Sequence, residues 1–350
     1  MIPTRRFGRT ELSMPVLTCG GMRFQHRWDE EPPKPIPAEN QANLSATIHR
    51  AVELGIVHLE TARGYGTSEA QLAPVVKTLP REQIILQTKV SPQADPNEFE
   101  RVFRTSLSRL DQPFVDLFSL HGINQREILE WSLRPGGCLE RARQFQKQGL
   151  CRWVGFSTHG SPELVEEAVS SGKFDYVNLH WYYIFQEHTP SLAAAKKNDM
   201  GVFIISPNDK GGMLYQPPAK LTQATSPLTP MEFNALFCLR DPRSILFPSV
   251  PPGRQTSMNT SARLPGWTRP QPCYLQSKKG SPLFGPKRTR LNGGPTGIEV
   301  FPTGRSARRR PTFVRYYVCT IWPAPTTWST TPECATTCSV KAVTGFRGDQ

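Results

Sequence analysis

From residue 56 to residue 206 the chain alternates six short apolar runs, at 56–60, 84–89, 114–120, 152–157, 175–180 and 201–206, with stretches of helical periodicity. The helical stretches fall at 68–78, at 97–110, within about 125–148, at 162–171 and at 190–198. A further run at 16–19, and helical spacing over 42–54 that stops at Gly55, extend the pattern to seven strands. Runs such as Ile84-Ile85-Leu86 and Val115-Asp116-Leu117-Phe118 have few polar interruptions, as strands do when both faces are covered. Strands of that kind, separated by amphipathic helices, are parallel and joined by right-handed crossovers. Two architectures satisfy this order, an open doubly wound sheet and a closed barrel.

Polar residues decide between them. Tyr65, Lys89, His121, Ser157 and Asn178 stand at or just beyond the C-terminal ends of successive runs. In a (β/α)8 barrel of TIM type those ends converge on one mouth, whereas an open sheet spreads them along an edge. No Gly-x-Gly-x-x-Gly follows the first run, so the usual mark of a Rossmann nucleotide site is missing. The expected fold is therefore α/β, a (β/α)8 barrel over residues 1–243. At its start Phe7-Gly8-Arg9-Thr10-Glu11-Leu12-Ser13 reads as a hairpin turning at glycine, and residues 29–40, rich in Glu and Pro, as a loop.

A net charge of +13 points to an anionic partner only if it is spread over the chain. Residues 244–350 hold 15 Lys+Arg against 3 Asp+Glu, so that tail carries +12 and residues 1–243 only +1. The tail does not interleave aromatic with basic residues at regular spacing, and no nucleic-acid arm is expected. No run approaches the roughly 20 apolar residues of a membrane span, and Met1-Ile2-Pro3-Thr4-Arg5-Arg6 lacks the apolar core of a signal peptide. Eight cysteines without a CxxC pair read as reduced thiols, and a cytoplasmic location is the expectation. Cys334 and Cys338, with no His close in sequence, read as coincidence rather than half a metal site.

The run Ile56-Val57-His58-Leu59 delivers Glu60 and Tyr65 into a loop bracketed by Gly64 and Gly66. In the order Glu60, Tyr65, Lys89, His121, successive strand ends then present groups able to hold or transfer a proton. Singly each has a bland reading: a Tyr packs the rim, a Lys is solvated, a His is structural. Together with Ser106-Leu107-Ser108-Arg109-Leu110-Asp111 and Val115-Asp116-Leu117, they resemble the aldo-keto reductases, in which an acidic residue, Tyr, Lys and His form a catalytic tetrad. Glu60 stands where that family usually has Asp, a carboxylate one methylene longer.

The resemblance covers roughly residues 3–243. It implies an NAD(P)H-dependent oxidoreductase that reduces aldehydes or ketones to alcohols by hydride transfer. It makes Tyr65 the proton donor to the developing alkoxide, Lys89 the charge that acidifies a phenol of ordinary pKa about 10, Glu60 the holder of Lys89, and His121 a neutral ring that orients the substrate oxygen. It also implies NADP (NADPH) as cofactor. Ser157, Thr158 and Asn178 occupy the places of the residues that usually hold the nicotinamide carboxamide, and Trp181 or Tyr182 is the candidate to stack on the ring. Gly20, Gly21 and Met22 follow the first run, where glycines let backbone approach a ligand, although alone they read as a tight turn. Ser206-Pro207-Asn208-Asp209-Lys210-Gly211-Gly212 resembles the loop that passes over the pyrophosphate, with Ser206, Lys210 and Gly211 as contacts; alone its Gly-Gly reads equally as a hinge. The implied partner is a small-molecule carbonyl compound, whose identity the motifs do not specify, and they are silent on oligomeric state.

After Arg243 the composition changes. Residues 244–350 hold 14 of the 34 prolines, an Arg308-Arg309-Arg310 run and no sustained periodicity, and so read as a Pro/Arg-rich tail, disordered or poorly packed. A shifted reading frame in the coding sequence offers another origin. Read from the third base of each codon, with free choice at degenerate positions, Ile245 to Thr260 can encode a segment resembling the family's last strand and the start of its cofactor-binding helix. The same shift turns Trp322 to Arg347 into an aromatic-rich segment. On that reading the barrel is incomplete at its eighth strand, which leaves two edges unpaired, and Ser244-Ile245-Leu246-Phe247 is the only stretch able to fill the gap. The alternative function is a catalytically impaired or silent homologue that binds cofactor weakly.

Overall fold

A glycine in a left-handed turn sets the start of the chain. Gly8 takes φ +54°, and its open Cα face lies against the backbone of Met200 and Gly201, where a Cβ has no room. Around this turn β1 (Thr4–Arg6) and β2 (Ser13–Pro15) pair antiparallel as the expected hairpin. The structure, a computed structural model, describes residues 2–29 and 35–247; the expectations for the tail beyond 247 lie outside the described residues.

Eight parallel strands follow, each paired with the next: β3 (Cys19–Gly20), β4 (His58–Glu60), β5 (Ile85–Val90), β6 (Val115–Leu120), β7 (Cys151–Ser157), β8 (Tyr176–Leu179), β9 (Gly201–Ile205) and β10 (Ser244–Phe247). The connections are filled by α1 (Ala38–Glu53), α2 (Ser68–Val76), α3 (Pro96–Leu110), α4 (Arg126–Leu133), α5 (Cys138–Lys147), α6 (Pro162–Ser170), α7 (Thr189–Lys197), α8 (Ala219–Thr225) and α9 (Pro230–Leu239). This is the expected α/β architecture. The stretch Ser244–Phe247 fills the eighth place by pairing with β9, so the barrel continues past residue 243. Leu246 also bridges to Leu17: the Thr18 N–H donates to the Leu246 carbonyl at 3.0 Å and the Leu246 N–H to the Val16 carbonyl at 2.9 Å. The seam is one bridge wide, so the curled sheet is incompletely closed there, and the described residues end with β10.

Three local differences from the sequence reading have plain causes. The run at 16–19 is a strand only at its end, because Val16–Thr18 forms the other side of the seam. The helical region within 125–148 divides into α4 and α5 at Pro135-Gly136-Gly137, with Gly136 at φ +68°. Helices α8 and α9 had no counterpart in the pattern; α9 opens on a capping box in which Thr229 Oγ1 accepts from the Glu232 N–H at 3.2 Å and Glu232 Oε2 from the Thr229 N–H at 2.8 Å.

Inside the barrel, Phe7 from the hairpin closes the bottom, its ring 4.4 Å from that of Phe203 and 5.8 Å from that of Tyr176. Gly155 and Gly201 make this packing possible, since a Cβ on either comes within 2.7 Å of the Tyr176 or Phe7 ring. Above lies a polar layer: Gln87 Nε2 donates to Ser119 Oγ at 2.9 Å, and Ser119 Oγ is 2.8 Å from the Tyr176 hydroxyl. The mouth begins above that layer.

His58, fully buried, stacks on Phe203 with centroids 4.8 Å apart, and burial lowers its pKa to about 3. The folded chain keeps this ring neutral, while the unfolded chain protonates it near the ordinary value of about 6.5. Its contribution to stability is therefore full above about 6.5 and falls away as pH drops toward about 3, at about 1.4 kcal/mol per pH unit. Urea unfolding is expected to show a lower midpoint at about pH 5 than at about pH 7.5, and a smaller drop in His58→Asn. Equal drops in parent and variant would remove His58 as the cause.

Candidate active site

Register places the groups of the mouth side by side: Gly20 pairs with Glu60, Glu60 with Gln87, and Lys89 with Ser119. Glu60, buried at the end of β4, accepts the Gly21 N–H on Oε2 at 2.9 Å. Its Oε1 meets both Lys89 Nζ and, at 3.3 Å, the Tyr65 hydroxyl. Lys89 also donates to the Thr61 carbonyl at 2.8 Å and lies 4.6 Å from the centre of the Tyr65 ring. His121, the residue after β6, meets that ring edge-on with centroids 5.5 Å apart. The four residues singled out for proton chemistry thus form one cluster.

Its electrostatics correct one expectation. Tyr65 was to be acidified by Lys89, but desolvation pushes its pKa above the ordinary phenol value. The residue as a whole is only half-buried, yet its hydroxyl faces the buried Glu60 and Lys89 rather than water. Burial likewise pulls Lys89 well below the ordinary ammonium range, and the Glu60 carboxylate and Thr61 carbonyl oppose that by favouring its charge. Desolvation thus favours the neutral phenol. His121 falls to about 3, through burial first and then Lys89 and His159, and its ring is neutral at ordinary pH.

On the other side of the mouth, the Gly122 N–H donates to the Ser157 carbonyl at 3.0 Å and hydroxyl at 3.1 Å, and the Thr158 hydroxyl donates to the Ile123 carbonyl at 2.7 Å. Both side chains lace β7 to the loop after β6. Asn178, in register with Ser157, is buried, and neither end of its amide has a hydrogen-bond partner among the described residues. An open buried amide is costly, and a second carboxamide satisfies both its donor and its acceptor. The donor set here therefore fits a nicotinamide group.

Gly21 has a structural reason to be glycine, since a Cβ there collides with the Glu60 carbonyl; Gly20 lies in β3 and Met22 in the turn after it. Ser206 sits at φ +52° and accepts the Lys210 N–H at 3.1 Å, and Gly211 packs beneath Pro207, whose carbonyl accepts from Asn234 Nδ2 at 3.0 Å. Arg23 holds both oxygens of Asp209 at 3.0 Å, tying this loop to the turn after β3. Trp181 does not join the site, contrary to the stacking role that its position suggested. Its indole donates to Thr189 Oγ1 at 3.1 Å and stacks on Phe237 of α9 with centroids 4.9 Å apart. Tyr182 is buried and bonded to His180 and the Ile205 carbonyl. His159 and His180, beside Lys210, were not singled out by any motif; they come together only in the fold.

A parallel barrel whose mouth gathers Tyr, Lys, His and a carboxylate defines a class, and sequence comparison places the chain within it. The aldo/keto reductase family matches residues 16–230, and the chain belongs to that family. An uncharacterized oxidoreductase of Caenorhabditis elegans is 28% identical over 148 residues, 39% of this chain and 45% of that protein. Another, from Bacillus subtilis, is 24% identical over 186 residues, 47% of this chain and 58% of that one. The chain thus spans about half the length of these curated relatives. Among solved structures, the holo form of an aldo-keto reductase from Bacillus halodurans shares the fold at a TM-score of 0.63 and 17% identity, over 75% of this chain and 90% of that one. An aldo-keto reductase from Klebsiella pneumoniae in complex with NADPH gives 0.58 at 17% identity, over 75% and 89%.

Proposed function

We propose that the chain is an NADPH-dependent reductase of aldehydes or ketones with Tyr65 as proton donor. The observation that carries this is the contact of Glu60 with both Lys89 and the Tyr65 hydroxyl, beside a neutral His121. Membership of the family and the NADPH complex of the Klebsiella relative support the choice of cofactor. When bound, a nicotinamide cofactor supplies the hydride. The chain's own residues do the rest. Tyr65 gives its proton to the substrate oxygen as alkoxide charge develops. Lys89 stabilises the phenolate left behind, Glu60 keeps Lys89 in place, and His121 orients the oxygen through a neutral ring nitrogen. Asn178 holds the carboxamide with Ser157 and Thr158 beside it, while the turn Gly20–Met22 and the Ser206–Gly211 loop carry the rest of the cofactor. Oxidation of NADPH in the presence of an aldehyde tests the reading directly.

Lys89→Met is expected to lower kcat by on the order of a hundredfold or more and to move the alkaline limb of the pH–rate profile upward, because the phenolate loses its counter-charge. A profile that overlaid the parent's would remove Lys89 from the mechanism.

A second reading, an impaired or silent homologue, has one observation in its favour: the family match ends at residue 230, before β10. As for location, Cys19, Cys138, Cys151 and Cys238 are free and buried, which fits a reducing compartment, and we place the chain in the cytoplasm. No helix among the described residues is long and apolar enough to cross a membrane.

A further inference from the structure

Two residues beyond Ser157 and Asn178, the same strand ends carry His159 and His180, and the loop after β9 brings Lys210 to them. Lys210 Nζ lies 3.1 Å from His159 Nδ1 and 3.4 Å from His180 Nε2, and the two imidazoles stack with centroids 4.6 Å apart. His180 is buried, while His159 and Lys210 are exposed at the mouth.

Hydrogen bonding fixes the inner ring. The Tyr182 hydroxyl lies against the Ile205 carbonyl, which can only accept, so the Tyr182 proton points there. His180 Nδ1 then carries the hydrogen directed at the Tyr182 oxygen, and His180 Nε2 is a lone pair. His159 Nδ1 and His180 Nε2 both face the Lys210 ammonium, whose three N–H bonds outnumber the two ring nitrogens they meet. The Asp209 carboxylate acts on Lys210 through its charge but is held directly by Arg23, and Lys210 makes no direct ion pair among the described residues. Desolvation of the ring nitrogens, and with it the nearby Lys210 charge, keeps both imidazoles below their ordinary range.

The cluster reaches toward His121, on which the His159 charge acts. The His159 N–H donates to Asn124 Oδ1 at 2.7 Å, and Gly122 is bonded to Ser157, so the segment that carries His159 is laced to the loop that starts at His121. The loop that carries Lys210 also holds the exposed Met213, and the exposed Ile184 lies against it, with Cδ1 3.2 Å from where a Cβ on Gly212 would be.

We propose that Lys210 and His159, seated on His180, bind an oxyanion of the substrate, so that the carbonyl compound reduced carries its own carboxylate or phosphate. This rests on the reductase reading above. The test compares para-carboxybenzaldehyde with its methyl ester, using the full chain at saturating NADPH. The carboxylate is expected to show the higher kcat/KM by on the order of tenfold, as a charge-assisted contact provides. In His159→Leu that ratio falls toward one, while the Kd for NADPH, read by fluorescence, moves much less than the ratio; in Lys210→Met, whose loop also carries the cofactor, the ratio falls whatever becomes of that Kd. A parent ratio near one, or a ratio that neither variant moves, overturns the proposal. So does a loss of NADPH affinity with the ratio intact, which assigns the cluster to the cofactor's phosphates. If the parent reduces neither aldehyde, the reductase reading fails by itself, and the subsite is read by titrating terephthalate against the histidine ring resonances. Saturable binding lost in His159→Leu then supports the subsite, and no binding overturns it.

Discussion

Tyr65→Phe is expected to abolish carbonyl reduction, by on the order of 10² to 10⁴-fold in kcat, while the barrel and its affinity for NADPH stay as they are. The change removes the transferable proton and almost no volume. The ring's edge contact with His121 and its place beside Lys89 need no hydroxyl. Glu60 is equally secure without it, since the Gly21 N–H and Lys89 hold both of its oxygens. A matching thermal midpoint and NADPH Kd establish that the variant is folded and loaded. Turnover equal to the parent's on each aldehyde tried would then end the assignment of Tyr65. The assignment does not need the phenol to be acidic at rest. Burial keeps the proton on Tyr65, and the Lys89 charge acts when the phenolate forms.

The strands were legible because burial on both faces leaves a clear mark: each residue of β6, Val115–Leu120, is buried, and the run reads as nearly unbroken apolar sequence. The gathering of Glu60, Tyr65, Lys89 and His121 was legible because barrel geometry carries consecutive strand ends to one place, so order along the chain becomes proximity. Trp181 lies against Phe237 of α9, and the period of an extended run accounts for it. Side chains alternate, so Asn178, His180 and Tyr182 share one side and Trp181 takes the other, against Phe237. The same rule, applied two residues beyond Ser157 and Asn178, could have raised His159 and His180 as candidates. Their pairing with Lys210 could not be read, because it depends on the turn of a loop whose Ser206 takes a positive φ. Helix α9 had a readable signal in Thr229-Pro230-Met231-Glu232, a capping pattern ahead of an apolar run. Closure by β10 had none beyond four residues of strand-forming sequence, since its fit depends on Leu17 lying 229 positions earlier.

The tail yields the other large expected effect, and β10 fixes where to cut. If the reading frame shifted near residue 243, the chain as written is expected to bind NADPH weakly, because the start of the cofactor-binding helix that the resemblance implies belongs to the lost segment. As written, however, Ile245 and Leu246 are buried in the barrel, and Arg5 donates to the carbonyls of Leu239, Asp241 and Ser244 at 2.7, 2.8 and 2.9 Å. Truncation after residue 247 should therefore leave the fold and the weak affinity unchanged. Truncation after residue 243 exposes the edge of β9 and opens the seam at Leu17. Losing two buried aliphatic side chains costs about 3–6 kcal/mol, a large part of the 5–15 kcal/mol that holds an ordinary domain folded. That form should unfold at a markedly lower temperature. Restoring the alternative frame is expected to tighten NADPH binding ten- to a hundredfold, since a bidentate Arg–phosphate contact is worth about 1.5–3 kcal/mol. Fluorescence titration of NADPH against the four forms decides the matter. Equal tight binding by the written and restored chains, lost on truncation after 247, would show that the tail as written has a working cofactor role and that no frame was lost.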